Sequence, residues 1–396
     1  MNNICEYKRK SMRVLYISAG DYKYGAPKAL MELVLTLKEK YDVEPLILTK
    51  KRNPMNEWCD EHQIENYSYW YRDIMAGSAY SEAGLNLLKH LVKYFLFMLG
   101  GITQRGILQI IPQLEKIDLI HTNLNRLDIG GYLSAKTGIP QVCHLRELRS
   151  GHCKIVLYKR KCIDYLNHTN VRFFAISDLV KANWVLAGIE ESKINVIYDG
   201  IDTTRFGYVC PKKFKELNIV CVGRIEENKG QLQIIEALHY LPHDILEHTW
   251  LSFLGEAYGE YQKVLNAKIE EYYLSERVKF LGYCNDIPQK LSEYNVGITS
   301  SKGEAFGRVT IEYMAAGLAV IASNTGANGE IISDEIDGLL YSYGDSRELS
   351  QKLIFLYQNV EKASQIAQKG KEKAEYYSKE RNAAEIYRQY CEILRK

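Results

Sequence analysis

The sequence has almost no net charge. Its 51 basic and 49 acidic side chains leave +2, so its electrostatics make no case for nucleic acid as a partner. It has no C-x-x-C pair and no histidines at zinc spacing. Nine cysteines stand apart at 5, 59, 143, 153, 162, 210, 221, 284 and 391. An odd, dispersed set argues against a disulfide scaffold and fits a reducing cytosol. The opening residues, MNNICEYKRKSMRVLYIS, hold no apolar stretch before a cleavage site, so no secretory signal is expected. The longest apolar run, LNLLKHLVKYFLFML at 85–99, falls short of the roughly 20 residues a membrane span needs. Internal repeats and low-complexity tracts are also lacking.

At 396 residues the chain is too long for one ordinary core, and two domains are expected. The first half alternates short apolar runs (12–18, 43–49, 116–122, 139–145 and 171–177) with helical patterns such as Pro27 to Lys40 and 178–188. After 194–206 a turn and basic stretch to Lys215 reads as a linker. A second series follows at 217–223, 249–255, 277–282, 295–300 and 318–323, and the tail from Ser364 reads as helical. Such alternation predicts parallel βα units, here two Rossmann-like doubly wound domains facing a central cleft. Expected boundaries are 1–205, 206–375 and a C-terminal helix, 376–396, crossing back to the first domain. The run 85–99 gathers Asn86, Lys89, His90 and Lys93 opposite a leucine-rich side. It reads either as a helix packed on a sheet or as one lying on an anionic leaflet. The aromatic stretch ENYSYWYRD at 65–73 similarly reads as packing against that helix or as a platform for a carbohydrate acceptor.

Two segments carry chemistry. In SKGEAFGRVTIEYMAAG, residues 301–317, Glu304 precedes a helix predicted to begin near Gly307, and Glu312 lies more than a turn inside it. First-turn amides at Gly307, Arg308 and Val309, with the helix dipole, suit a phosphate, while the two carboxylates suit hydroxyls. A sugar nucleotide fits both demands. In VGRIEENKG, residues 222–230, a strand ends at Gly223 and presents Arg224 and Lys229, a pair suited to a diphosphate.

With these motifs in order, the chain resembles the retaining glycosyltransferases of family 4, with the GT-B fold, of the kind that build bacterial surface polysaccharides. G-R-x-x-x-x-K-G matches at Gly223, Arg224, Lys229 and Gly230, and the family's paired glutamates match at Glu304 and Glu312 within E-x-F-G. The segments DLIHTN, AISDLVKANWVLAGIEESKINVIYDGID and AGLAVIASNTGANGEIISDEIDGLLY extend the likeness over most of the chain. The resemblance implies catalytic roles for Glu304, facing the transferred sugar, for Arg224 and Lys229, neutralising the leaving diphosphate, and for His144, close to the sugar. It implies donor binding by Gly25, Ala26, Gly223, Tyr283, Phe306, Gly307, Arg308, Val309 and Glu312, the last on the ribose. Leu145 and Arg146 follow His144 where relatives read H-D, and Ala26 and Ala327 replace the second glycine of a pair. No D-x-D motif marks a metal-dependent route, and fixed cations meet the leaving charge without one, so neither metal nor cofactor is expected. The partners implied are a nucleotide-diphosphate sugar and a saccharide acceptor, including a lipid-linked one, in the cytoplasm at the inner face of the membrane. Two alternatives stay open: a nucleotide-sugar epimerase or phosphorylase on the same fold, and a non-catalytic partner subunit.

Overall fold

The computed structural model describes residues 11–18, 25–71, 75–77, 106–111, 114–124, 129–148, 153–155, 167, 171–206, 214–257 and 259–395. The apolar run 85–99, with both of its readings, lies outside the described residues, as does most of the expected linker.

The chain divides into two compact units, Met1–Gly200 with Glu380–Lys396, and Ile201–Lys379. In the first unit, strands β1 (Met12–Ser18), β2 (Val43–Thr49), β3 (Glu65–Ser68), β5 (Leu119–Thr122), β6 (Gln141–Leu145), β8 (Val171–Ala175) and β9 (Ile194–Val196) form one parallel sheet. Its order is β3-β2-β1-β5-β6-β8-β9. Strands β4 (Met75–Gly77) and β7 (Cys153–Ile155) pair separately and antiparallel. In the second unit, β10 (Leu217–Val222), β11 (Thr249–Leu254), β12 (Val278–Phe280), β13 (Val296–Thr299), β14 (Ala319–Ser323) and β15 (Leu339–Tyr341) form a parallel sheet of order β12-β11-β10-β13-β14-β15. Both sheets therefore reverse direction beside their first strand, between β1 and β5 and between β10 and β13. Those are the crevices where doubly wound sheets take ligands.

Central strands read as unbroken apolar runs because helices cover both their faces. Val14, Leu15, Tyr16 and Ile17 of β1 are all buried, with Val14 and Tyr16 in one core cluster and Leu15 and Ile17 in another. The helix Lys379–Leu394 buries Ala383, Ile386 and Tyr390 in the first of these clusters, a spacing of three and four that lays one helical face on the sheet. Its predecessor, Val360–Ala374, stays with the second unit. Between them Ile201 bridges Ser378, so the two chain crossings between units run side by side.

Several boundaries differ from the sequence reading. The first helix runs Gly25–Tyr41, so Gly25 and Ala26 occupy its first turn rather than the preceding loop. Residues 116–118 do not join β5: Lys116 ends a helical turn over Leu114–Lys116, and the Asp118 carboxylate accepts a 2.8 Å bond from the Arg13 amide. Strand β3 escaped notice because none of its four residues is buried, which leaves no apolar pattern. At the end of the aromatic stretch Tyr71 is buried and donates to the Ser18 carbonyl at 2.9 Å. Thr203 bonds Glu375 at 3.1 Å and Asp202 pairs with Lys379 at 2.6 Å, contacts that draw residues 201–206 into the second unit.

Candidate active site

The end of β10 and the end of β13 are stitched together by backbone and by small side chains. Gly230, at φ +67°, lies so close to the Ser300 carbonyl that a Cβ there would stand 2.1 Å from its oxygen. Ser300 Oγ donates to the Lys229 carbonyl at 2.8 Å, and the Lys302 amide donates to the Asn228 carbonyl at 2.9 Å. Gly326, at φ +62°, holds the following loop from the β14 side, since its Cβ would meet the Glu304 amide nitrogen and carbonyl oxygen at 2.3 Å. These approaches place Lys229 Nζ 2.6 Å from Glu304 Oε1, which also accepts from Ser301 Oγ at 2.7 Å. Burial opposes the charge on both partners, but each stabilises the other. Glu304 is held below the usual carboxylate range and Lys229 above the usual lysine range. The residues assigned separately to sugar and diphosphate thus form one partly buried ion pair across the crevice.

Arg224 lies on the same loop but is half exposed, and it pairs with Glu226 at 3.1 Å. Its backbone is fixed by Gln231 Nε2, which donates to its carbonyl at 2.8 Å. Beyond Glu304, Phe306 is buried and Gly307 takes φ +98° as the cap of the helix Arg308–Ala315. The first intrahelical bond runs from the Ile311 amide to the Gly307 carbonyl, so the amides of Arg308 and Val309 lie in the helix's first turn. Glu312 is buried one turn in. Next to it, Tyr313 accepts from the Val222 amide at 2.6 Å and so ties this helix to the end of β10. Burial, and with it the nearby charge of Glu312 and Glu304, holds the Tyr313 phenol well above its ordinary range. Tyr283 is about half exposed after Gly282, beyond β12. Among the described residues, no group of three or more His, Cys, Asp and Glu is placed to hold a metal ion.

In the first unit, His144 is the penultimate residue of β6 and is fully buried. Its Nδ1 lies 2.7 Å from Nε2 of His121 on β5, and Nδ1 of His121 bonds the Tyr390 hydroxyl. Arg146 is buried as well. It donates through Nη1 to both oxygens of Asp199, at 2.6 and 2.5 Å, and through Nε to Asn123 Oδ1 at 2.9 Å. Asn123 Nδ2 in turn donates to the Ala26 carbonyl at 3.1 Å. Gly25 is exposed beside it. One polar network therefore joins the first turn after β1 to the ends of β5 and β6. Sequence reasoning singled out His144 and Ala26 but missed their partners His121, Asn123, Asp199 and Tyr390. Arg146, two residues after His144, was the available signal, because a buried cation requires a carboxylate nearby.

Residues 210–373 match the family Glycosyl transferases group 1, and residues 77–205 match Glycosyltransferase Family 4. The chain belongs to glycosyltransferase family 4. EpsD of Bacillus subtilis (strain 168) is 30% identical to this family 4 chain over 208 residues, 49% of the chain and 54% of EpsD. The UDP-Gal:alpha-D-GlcNAc-diphosphoundecaprenol alpha-1,3-galactosyltransferase of Escherichia coli is 26% identical over 257 residues, 58% of the chain and 64% of that enzyme. The matches thus span less than two thirds of either relative's length. The structure of Anabaena HepE in complex with UDP superposes with a TM-score of 0.79 at 22% identity, covering 96% of this chain and 100% of HepE. That likeness is one of fold, the GT-B fold of two Rossmann-like domains. Among the described residues no helix of this family 4 chain is long and apolar enough to cross a membrane.

Proposed function

We propose that this chain transfers a sugar from a nucleotide-diphosphate donor to a saccharide hydroxyl, with retention of anomeric configuration, in the synthesis of a surface glycan. The observation that carries the reading is the Lys229–Glu304 pair at the switch point of the second sheet, beside the helix that opens at Gly307. A leaving nucleotide diphosphate gains negative charge as the glycosidic bond breaks, and preorganised cations and amides lower the cost of that charge. Lys229, Arg224 and the first turn after Gly307 supply them. Glu304 stands one ion pair away, where it bonds sugar hydroxyls and offsets positive charge on the ring, and Glu312 takes the ribose. Gly25, Ala26, Gly223, Tyr283 and Phe306 complete the donor contacts. The acceptor hydroxyl attacks the face that the diphosphate leaves, and its proton passes to an oxygen of the departing phosphate. This route draws on no metal and no cofactor.

The relative named for a diphosphoundecaprenol-linked acceptor supports a lipid-linked saccharide as the acceptor class. We accordingly assign the reaction to the cytoplasm, at the inner face of the membrane.

A thermal-shift panel of UDP-, GDP- and ADP-sugars tests the donor, since a bound donor stabilises by mass action. The donor that raises the melting temperature is then incubated with a lipid-diphosphate saccharide, and the product anomer is read by NMR. Retained configuration in a transferred sugar is the expected result. Interconversion of the nucleotide sugar without transfer would replace this reading with an epimerase.

A further inference from the structure

The histidine pair of the first unit has a definite proton arrangement that no part of the proposed reaction requires. His121 and His144 share one hydrogen bond, His121 Nε2 to His144 Nδ1 at 2.7 Å, so one of these two nitrogens carries the hydrogen and the other is bare. Arg146 decides which. Its Nη2 lies 3.5 Å from the same His144 Nδ1, and a guanidinium donates but never accepts. The bonds from Arg146 to Asp199 and Asn123 keep that cation in place. A ring nitrogen facing a fixed cation is favoured without its hydrogen. His144 Nδ1 is then the acceptor and His121 Nε2–H the donor.

A neutral imidazole with a hydrogen on Nε2 has a bare Nδ1, and the Nδ1 of His121 meets the hydroxyl of Tyr390. The phenol supplies its hydrogen there. The far ring nitrogen of His144 consequently carries a hydrogen, and this Nε2 is buried with no hydrogen-bond partner among the described residues. A buried donor left without an acceptor is costly, and such groups call for an explanation. Phe174 stands edge-on to both rings, at 6.3 and 5.6 Å between centroids, and Tyr16 lies 5.3 Å from His121. The ring planes are held as firmly as the hydrogens.

We propose that Arg146 and His121 are positioning residues that fix His144 as a neutral Nε2–H donor, held ready for an acceptor oxygen of the bound ligand, with Tyr390 completing the chain at His121 Nδ1. His144 is then unable to act as a general base, because the nitrogen it presents already carries a hydrogen. Burial first, and then the Arg146 cation, hold both histidines well below their ordinary pKa, which keeps the pair neutral. That the acceptor oxygen belongs to the transferred sugar rests on the glycosyltransferase reading; the tautomer does not.

Nitrogen-15 NMR of the full chain labelled at histidine tests the assignment, because protonated and bare ring nitrogens resonate apart. The wild-type protein should show the hydrogen on Nε2 of both His121 and His144. A hydrogen on His144 Nδ1 would overturn the proposal. Tyr390→Phe withdraws the hydroxyl from the bare His121 Nδ1, so that nitrogen's resonance should move while both Nε2 hydrogens stay, and kcat should fall only slightly. The donor KM should stay nearly unchanged. An unaltered spectrum in Tyr390→Phe would equally overturn the proposal. Arg146→Lys, which keeps a cation facing His144 Nδ1, should preserve the His144 tautomer, and Arg146→Leu should let Nδ1 carry the hydrogen in part of the population. A chain with the expected spectrum but no sugar transfer would keep the relay and lose the glycosyltransferase reading.

Discussion

Lys229 and Glu304 neutralise one another across 2.6 Å in a partly buried crevice, so a change to either acts on both. Glu304→Gln keeps the shape and leaves the lysine cation without its counter-charge. Turnover should fall by about 10²–10³-fold, the usual loss for one preorganised electrostatic contact, while nucleotide affinity stays close to wild type. Lys229→Ala should lower both. Transfer kinetics beside calorimetric titration of the nucleotide separate the two outcomes, and unchanged turnover in Glu304→Gln would remove its assigned role. A second prediction concerns pH. His121 is buried neutral, with its pKa pushed down to about 3, so the unfolded chain binds a proton that the folded one refuses. Stability should therefore decline as pH falls below the ordinary histidine value of about 6.5 and level off near the folded value. Denaturant unfolding followed from pH 7 to 4 measures the slope, and His121→Gln should reduce it by roughly one proton's worth. Glu304 adds a loss of the same sign at lower pH, because its folded pKa lies below its unfolded one and its contribution disappears as it takes up a proton.

The loops that carry these residues depend on glycine at close backbone approaches. Gly326→Ala would place a Cβ against the backbone of Glu304 and impose a side chain at φ +62°. The loop must shift, and the expected result is weakened donor binding and turnover with the sheet retained. Comparing donor-induced melting shifts for the variant and wild type checks this, and an unchanged shift would show that the approach is not needed. The same elements explain what the sequence made legible. Strand ends at Gly223 and Ser300 and a helix opening at Gly307 were readable from local signals: apolar runs, then glycine, then helix formers. Once two consecutive βα units were recognised, the position of Arg224, Lys229 and Glu304 at one crevice followed from topology. The relay was not legible, because Tyr390, His121 and His144 meet only after the last helix crosses back, and no local pattern connects residues 269 positions apart. Strand β3 was hidden for the opposite reason, since an edge strand with no buried residue carries no periodic signal.

Taken whole, the first unit is discontinuous in sequence and the second is continuous between its two halves. Ala383, Ile386 and Tyr390 are core residues of a sheet whose first strand begins at Met12. Removing residues 380–396 should therefore unfold or loosen the first unit while the second keeps its structure. Hydrogen exchange read segment by segment checks this, with protection lost in β1, β5 and β6 and retained in β10 and β13. Protection retained throughout would mean that the helix is dispensable to that core. The alternation of strands and helices made two units legible, with crossing points a few residues away from those expected. The crossing back of the last helix was expected without a local signal, because its own sequence says only that it is amphipathic.

The adjacent crossings at Ile201 and Ser378 also carry a consequence for biosynthesis. A ribosome releases chains from the N-terminus, and domains generally fold as they emerge. Here the second unit is complete while the first still lacks one wall of its core. The earlier-made half must wait, with the apolar face around Val14, Tyr16 and Phe174 uncovered, until the final helix arrives. Premature termination within the last few turns would thus damage the oldest part of the molecule and spare the newest.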